Sequence, residues 1–314
     1  MTSSDASTGG EAVLANPRGF CAGVDRAIQI VERALEVHGA PVYVLHEIVH
    51  NQHVLERLRG LGARFVPSLD EVPEGSVTVF SAHGVSDAVV AAADRRSLQV
   101  IDATCPLVTK VHRQAVRYED QGREVILVGH PGHPEVEGTR GRIRGKVHVL
   151  STPEEVAALQ VEDPEQLAYV TQTTLSVDDT REVIDALLER FPAIQGPALK
   201  DICYATQNRQ TAVKDMIGSV DALIVVGSEN SSNSNRLREL GERGGVPAYL
   251  VDRPEDVRPE WVAGLGTVGV SAGASAPEEL VQLILARLAD LGVRTSRELD
   301  GERETVVFQM PEGL

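Results

Sequence analysis

The chain has 314 residues, 42% hydrophobic and 24% charged, with 30 lysines and arginines against 46 aspartates and glutamates, for a formal charge of −16. That length can bury a real core in about two or three domains, and the charged fraction is ordinary for a globular protein. The acidic balance argues against nucleic acid and anionic membrane as partners, because either needs a basic face.

In chain order, residues 1–11 (MTSSDASTGGE) are small, polar and free of lysine and arginine. They read as a disordered tail, unlike a signal or transit peptide. Apolar, β-branched runs then recur at Val42–Leu45, Val77–Phe80, Val125–Val128, Ala168–Thr171, Leu223–Val226 and Thr267–Val270. Stretches of helical period, such as Leu280–Leu291, stand between them. The alternation predicts an α/β fold with mainly parallel sheets and helices on both faces. No run approaches the ~20 apolar residues of a membrane span, so the protein reads as soluble and cytoplasmic. The expected units are 12–104, 105–199 and 200–292, with a C-terminal segment at 293–314. The start of the first, near Cys21, is open to packing with the third.

Three cysteines occur, Cys21, Cys105 and Cys203, spaced 84 and 98 residues apart. An odd, sparse set makes neither a disulfide framework nor a local zinc motif. Each opens a helix-like segment: AGVDRAIQIVERAL after Cys21, PLVTKVHRQAV after Cys105 and YATQNRQTAVKDMI after Cys203. Pro106 suits a first helical turn. A thiol at a helix amino terminus is biased towards thiolate, the metal-binding form. A lone buried cysteine is most often a small hydrophobe; three at strand-to-helix junctions point to a shared centre. Three thiolates leave a four-coordinate site one ligand short. That suits zinc completed by water or histidine, or a [4Fe–4S] cluster with one open iron, and ligand type alone leaves both standing.

The loops after the apolar runs carry neutral donors: His50, His83, His133, Thr173, Ser231, Ser232, Asn233 and Ser275. No Walker motif is present and no GxGxxG follows a strand, yet hydroxyls, amides, imidazoles and helix amino termini can hold a phosphate. Ser231–Asn233 equally suits a plain helix cap. The run Arg140, Arg142, Arg144 and Lys146 is a basic spot on an acidic chain. It reads as a solvated turn, or as a docking patch for an acidic electron carrier.

Nine blocks in order resemble the 4-hydroxy-3-methylbut-2-enyl diphosphate reductase family. They are Ala15–Ile28 (ANPRGFCAGVDRAI), Val49–Asn51 (VHN), Phe80–Ser86 (FSAHGVS), Asp102–His112 (DATCPLVTKVH) and Gly132–Thr139 (GHPEVEGT). Thr171–Thr180 (TQTTLSVDDT), Asp201–Gln210 (DICYATQNRQ), Gly227–Leu237 (GSENSSNSNRL) and Ser271–Pro277 (SAGASAP) complete the set. The resemblance runs from about Val13 to about Leu291. It implies three α/β units around a pseudo-threefold axis, with a [4Fe–4S] cluster held centrally by Cys21, Cys105 and Cys203.

It further implies that His50, His83, Ser231, Ser232, Asn233 and Ser275 hold the substrate's diphosphate, with His133 nearby. Thr173 would meet the substrate hydroxyl and Glu135 would supply a proton. The implied reaction is two-electron removal of an allylic hydroxyl, giving isopentenyl and dimethylallyl diphosphate at the last step of the non-mevalonate route. A ferredoxin- or flavodoxin-type protein would be the electron donor. On its own, Glu135 also suits the first turn of a helix after Pro134. His46, His53, His112, His130 and His148 match no family role and read as structural or solvated. A three-cysteine zinc hydrolase and an iron–sulfur sensor are the rival readings.

Overall fold

Strand and helix alternate along the computed structural model, whose described residues are 9–314. In chain order come β1 (Gly10–Leu14), α1 (Ala22–His38), β2 (Val42–Leu45), α2 (Gln52–Leu61), β3 (Ala63–Val66), β4 (Val77–Phe80), α3 (Asp87–Arg95) and β5 (Gln99–Asp102). Next are α4 (Pro106–Asp120), β6 (Glu124–Val128), α5 (Pro134–Arg140), β7 (Val147–Leu150), α6 (Pro153–Ala158), β8 (Leu167–Thr171) and α7 (Val177–Arg190). The chain ends with α8 (Tyr204–Ile217), β9 (Ala222–Val226), α9 (Ser232–Arg243), β10 (Ala248–Val251), β11 (Thr267–Ala272), α10 (Glu278–Asp290) and β12 (Val293–Glu298).

These strands build three sheets, ordered β10-β9-β11-β1-β12, β3-β2-β4-β5 and β7-β6-β8. Every ladder among the described residues is parallel. Chain contacts divide the protein into two units: residues up to 20, 51–53 and 208–305, and residues 21–50, 54–207 and 306–314. The five-stranded sheet lies in the first unit, the other two sheets in the second. β1 runs between β11 and β12, so the first strand of the chain is completed by strands from its last hundred residues. Of the expected tail at 1–11, residues 1–8 lie outside the described residues, while Gly10 and Glu11 already belong to β1. The strand starts earlier because Glu11 pairs with Thr267 and Thr295 on its two sides.

The strands are apolar on both faces because helices cover both. In β9, Leu223 and Val225 pack with Val213 and Met216 of α8 and Leu237 of α9. The alternate residues Ile224 and Val226 pack with Leu280, Ile284 and Leu288 of α10. β6 repeats the scheme in the second unit. Ile126 and Val128 meet Val183, Ile184 and Leu187 of α7, and Val125 and Leu127 meet Val111 and Ala115 of α4 and Val136 of α5. In the four-stranded sheet, Tyr43, Leu45 and Phe80 pack against Ala93 and Leu98. Each fully buried side chain of this kind contributes about 1.5–3 kcal/mol. Among the described residues no helix is long and apolar enough to cross a membrane.

Candidate active site

In the second unit, the loops leaving the carboxyl ends of β2, β4, β6 and β8 carry His50, His83, His133 with Glu135, and Thr173 respectively. Parallel sheets present their ligand-bearing loops at that end. The three imidazoles meet. His50 and His83 stack with ring centroids 4.2 Å apart, and His133 stands edge-on to both at 5.6 and 5.8 Å. His50 Nδ1 lies 2.8 Å from Glu47 Oε2, and His83 Nδ1 lies 3.3 Å from Ser81 Oγ. His133 caps α5, its Nδ1 accepting the Glu135 backbone N–H at 3.1 Å.

Burial, followed by the neighbouring imidazoles His50, His133 and His46, holds His83 well below its ordinary range. Burial and then His50 bring His133 down to about 4. Both rings are therefore neutral at physiological pH, able to donate one hydrogen bond and to gain a proton beside an anion. The turn after His83 depends on Gly84. Its φ of +78° is left-handed, and a Cβ there would lie 2.6 Å from His112 Cε1.

Glu135 is 2% exposed. Thr173 grips both its oxygens: the backbone N–H donates to Oε1 at 2.6 Å and Oγ1 donates to Oε2 at 2.9 Å. Burial outweighs these bonds and, with a smaller push from Asp201, raises the carboxyl to about 7. Such a group holds a proton near neutrality and can release it.

The three cysteines also lie in the second unit. Cys21 caps α1, Cys105 caps α4, and Cys203 precedes α8 by one residue. Cys105 is tied to the His83 loop through its N–H, which donates to Ala82 O at 3.0 Å. Cys203 is tied to the Glu135 partner, its N–H donating to Thr173 O at 3.1 Å. Arg26 of α1 donates to Thr104 O at 3.2 Å, fixing the residue before Cys105.

For Cys105 and Cys203 the expected bias towards thiolate is not met in the protein alone. Burial, then Cys21, pushes Cys105 up to about 12, and the same two causes push Cys203 up to about 11. Desolvation and mutual repulsion exceed what a helix amino terminus offers. The sulfurs of Cys21 and Cys105 both lie beside Gly23, and a multivalent cation there would offset the repulsion that raises Cys105. Gly23 leaves room beside them: a Cβ there would lie 2.7 Å from Cys105 Sγ and 3.9 Å from Cys21 Sγ. Among the described residues, no group of three His, Cys, Asp or Glu side chains gathers closely enough for a single metal ion. Three thiols are the donor type that an iron–sulfur cluster takes.

In the first unit, Ser231 caps α9, its Oγ accepting from Ser234 N–H at 3.3 Å. The capping reading of this hydroxyl therefore holds. Asn233 Oδ1 accepts the Ala274 N–H at 2.8 Å, joining the loop after β9 to the loop after β11 that carries Ser275. Among the described residues, Asn233 Nδ2 is buried without a partner. A buried donor left over in this way calls for an acceptor, and a phosphate oxygen is one.

The basic run at 140–146 is largely neutralised. Arg142 pairs with Asp87 at 2.7 Å, Lys146 with Glu124 at 3.2 Å and Arg140 with Glu137 at 4.0 Å. These pairings favour the solvated-turn reading. Three further residues escape sequence reading. Glu47, the partner of His50, has no distinguishing context. Gly23 carries a usable signal, since glycine inside a helix costs about 1 kcal/mol and so marks a close approach. Arg209, fully buried, donates to Gly19 O at 3.0 Å and Phe20 O at 3.2 Å, just before Cys21. Its guanidinium is met at 2.9 Å by Glu304, 95 residues later, which no local pattern announces.

The sequence profile of the LytB protein family matches residues 12–289. A 4-hydroxy-3-methylbut-2-enyl diphosphate reductase of Ralstonia nicotianae is 61% identical over 97% of this chain and 94% of its own. One of Bordetella pertussis is 58% identical over 100% of this chain and 97% of its own. The solved E-1-hydroxy-2-methyl-but-2-enyl-4-diphosphate reductase of Plasmodium falciparum superposes with a TM-score of 0.93 at 36% identity, covering 97% of this chain and 96% of that one. A second solved reductase, described as the terminal enzyme of the non-mevalonate pathway, gives a TM-score of 0.64 at 33% identity over 89% of this chain and 99% of its own.

Proposed function

The chain belongs to the LytB protein family, and on that footing we propose that it reduces 4-hydroxy-3-methylbut-2-enyl diphosphate to isopentenyl and dimethylallyl diphosphate, the last step of the non-mevalonate route. It is an oxidoreductase: the reaction breaks an allylic C–O bond, forms a C–H bond, consumes two electrons and two protons, and releases water. What supports the reading is that one unit holds the sulfurs of Cys21 and Cys105 beside Gly23, Cys203 bonded through its N–H to Thr173, and the buried Glu135 carboxyl gripped by that same threonine. Free thiols suit a reducing, cytoplasmic setting.

Cys21, Cys105 and Cys203 would hold a [4Fe–4S] cluster, which supplies electrons and, at the iron without a cysteine, Lewis acidity towards the allylic oxygen. The remaining work belongs to the chain's own side chains. Glu135 holds a proton on its carboxyl and gives it to the departing hydroxyl, so that water leaves in place of hydroxide. Thr173 orients that carboxyl through both its oxygens and offers its hydroxyl to the substrate oxygen. His50, His83 and His133 receive the diphosphate, and His83 and His133, neutral beforehand, gain protons as the anion arrives. In the first unit, Ser231, Ser232, Asn233 and Ser275 are by the family resemblance phosphate donors, and among the described residues Asn233 Nδ2 has no partner. A ferredoxin- or flavodoxin-type protein delivers the electrons.

Anaerobic reconstitution with iron and sulfide, followed by turnover of the allylic diphosphate with a reduced dye, tests the proposal. A brown protein that converts the substrate is the expected result. Full iron loading without turnover overturns the reading, and activity with zinc in place of iron restores the hydrolase alternative.

A further inference from the structure

Helix α4, capped by Cys105, carries Lys110, Arg113 and Arg117 at intervals of three and four residues, hence on one face. All three are exposed. They border a groove of 460 Å³ completed by Gln114, Tyr118, Gln121 and Gln195, with no carboxylate among its lining. Lys110 turns aside to Lys200 O at 2.8 Å and Asp201 at 3.4 Å. Among the described residues, Arg113 and Arg117 make no ion pair or side-chain hydrogen bond.

Like charges four apart on a helix repel by a few tenths of a kcal/mol, and a protein at −16 has acidic residues enough to neutralise them. Across the basic run at 140–146, three of four cations are neutralised in that way. The face of α4 is left positive. Along the helix axis, Arg113 stands about 12 Å from Cys105 and Arg117 about 18 Å, at 1.5 Å per residue.

We propose that this groove is the docking surface for a small acidic electron-carrier protein of the ferredoxin type, an inference that rests on the reductase reading above. Two acidic proteins repel at long range, so productive encounter needs a local patch of opposite sign. Here that patch is on the helix that presents a proposed cluster ligand. Each docked carrier gives up one electron and leaves oxidised. Two successive encounters supply the pair that enters the broken C–O bond, while two protons are consumed and water departs.

The test compares the reconstituted wild-type protein with an Arg113→Glu/Arg117→Glu double variant, and with Arg144→Glu as an exposed charge control outside the groove. Binding of an acidic ferredoxin, measured by surface plasmon resonance at low ionic strength, is expected to weaken about tenfold in the double variant and less than about twofold in the control. Ferredoxin-driven turnover should show a raised KM for ferredoxin, while turnover driven by reduced methyl viologen stays unchanged. Equal ferredoxin affinity in the wild type and the double variant overturns the proposal. So does tighter binding of a DNA oligonucleotide than of ferredoxin, which would make the groove a nucleic-acid surface. Groove-dependent ferredoxin binding without viologen-driven turnover supports the docking surface and overturns the reductase reading alone.

Discussion

Thr173 holds Glu135 by both carboxyl oxygens, through its backbone N–H at 2.6 Å and its hydroxyl at 2.9 Å. The two lie 38 residues apart, Glu135 in the first turn of α5 after β6 and Thr173 just past the neighbouring parallel strand β8. Two donated bonds alone would favour the carboxylate, yet burial prevails and raises the group to about 7. The arrangement fixes the carboxyl in direction without stripping it of its proton.

Glu135→Gln should therefore keep its iron and lose about 10²- to 10⁴-fold in kcat, the usual worth of a general acid. Dye-driven turnover by the unaltered protein should decline as pH rises through about 7, where the proton-bearing form is lost. The same raised carboxyl contributes stability that is full below about 4.5 and lost as pH rises through about 7. A variant with full activity and an unchanged pH profile would remove Glu135 from the mechanism.

Gly23 is the narrow point beside the cysteines, with its absent Cβ 2.7 Å from Cys105 Sγ. Gly23→Ala should fold, since alanine favours a helix interior, but it should take up iron and sulfide poorly because the sulfur must move aside. Iron content after reconstitution and the visible absorption band read this directly. Normal loading would show that Cys105 has freedom the packing denies it.

Acid should destabilise the protein through its histidines. Burial holds His112 and His133 near 4, and holds His83 well below 6.5, so the unfolded chain binds these protons first. Stability is then full above about 6.5 and falls as pH drops from there towards 4. His112, whose Nε2 has no partner among the described residues, can be changed without touching the proposed substrate donors. His112→Gln should flatten the fall in thermal midpoint between those pH values by the share of one proton. An unaltered slope would place the acid sensitivity elsewhere.

The Arg209–Glu304 pair ties the end of the first unit to the Gly19–Phe20 turn. Glu304 accepts from Arg209 at 2.9 Å and from Asn208 Nδ2 at 3.1 Å. Removing one member of a buried ion pair strands the other charge, at a cost of about 3–5 kcal/mol. Glu304→Gln should lower the denaturant midpoint by a corresponding amount, measured by chemical unfolding of the iron-loaded protein. A loss under about 1 kcal/mol would place the pair with ordinary surface bridges.

The parallel α/β sheets were legible because buried strands such as ALIVV at 222–226 must be apolar on both faces, a signal local to five residues. The cysteines, histidines, Glu135 and Thr173 were legible as residue types at strand ends, and their order matched a family pattern. The start of β1 was not, because Gly10 and Glu11 become strand only by pairing with residues about 250 positions away. The bias of Cys105 and Cys203 towards thiolate was misjudged for the same kind of reason. Helix position is local, whereas burial and the approach of a second sulfur are set by packing.

By itself, then, the amino-acid order determined the alternation of strand and helix, the family, and which side chains could do chemistry, since each depends on neighbours in sequence. Only the tertiary structure decided which of them meet and in what protonation state. Stacked imidazoles, a carboxyl near neutrality and an unneutralised face on α4 arise from desolvation and charge proximity between distant segments.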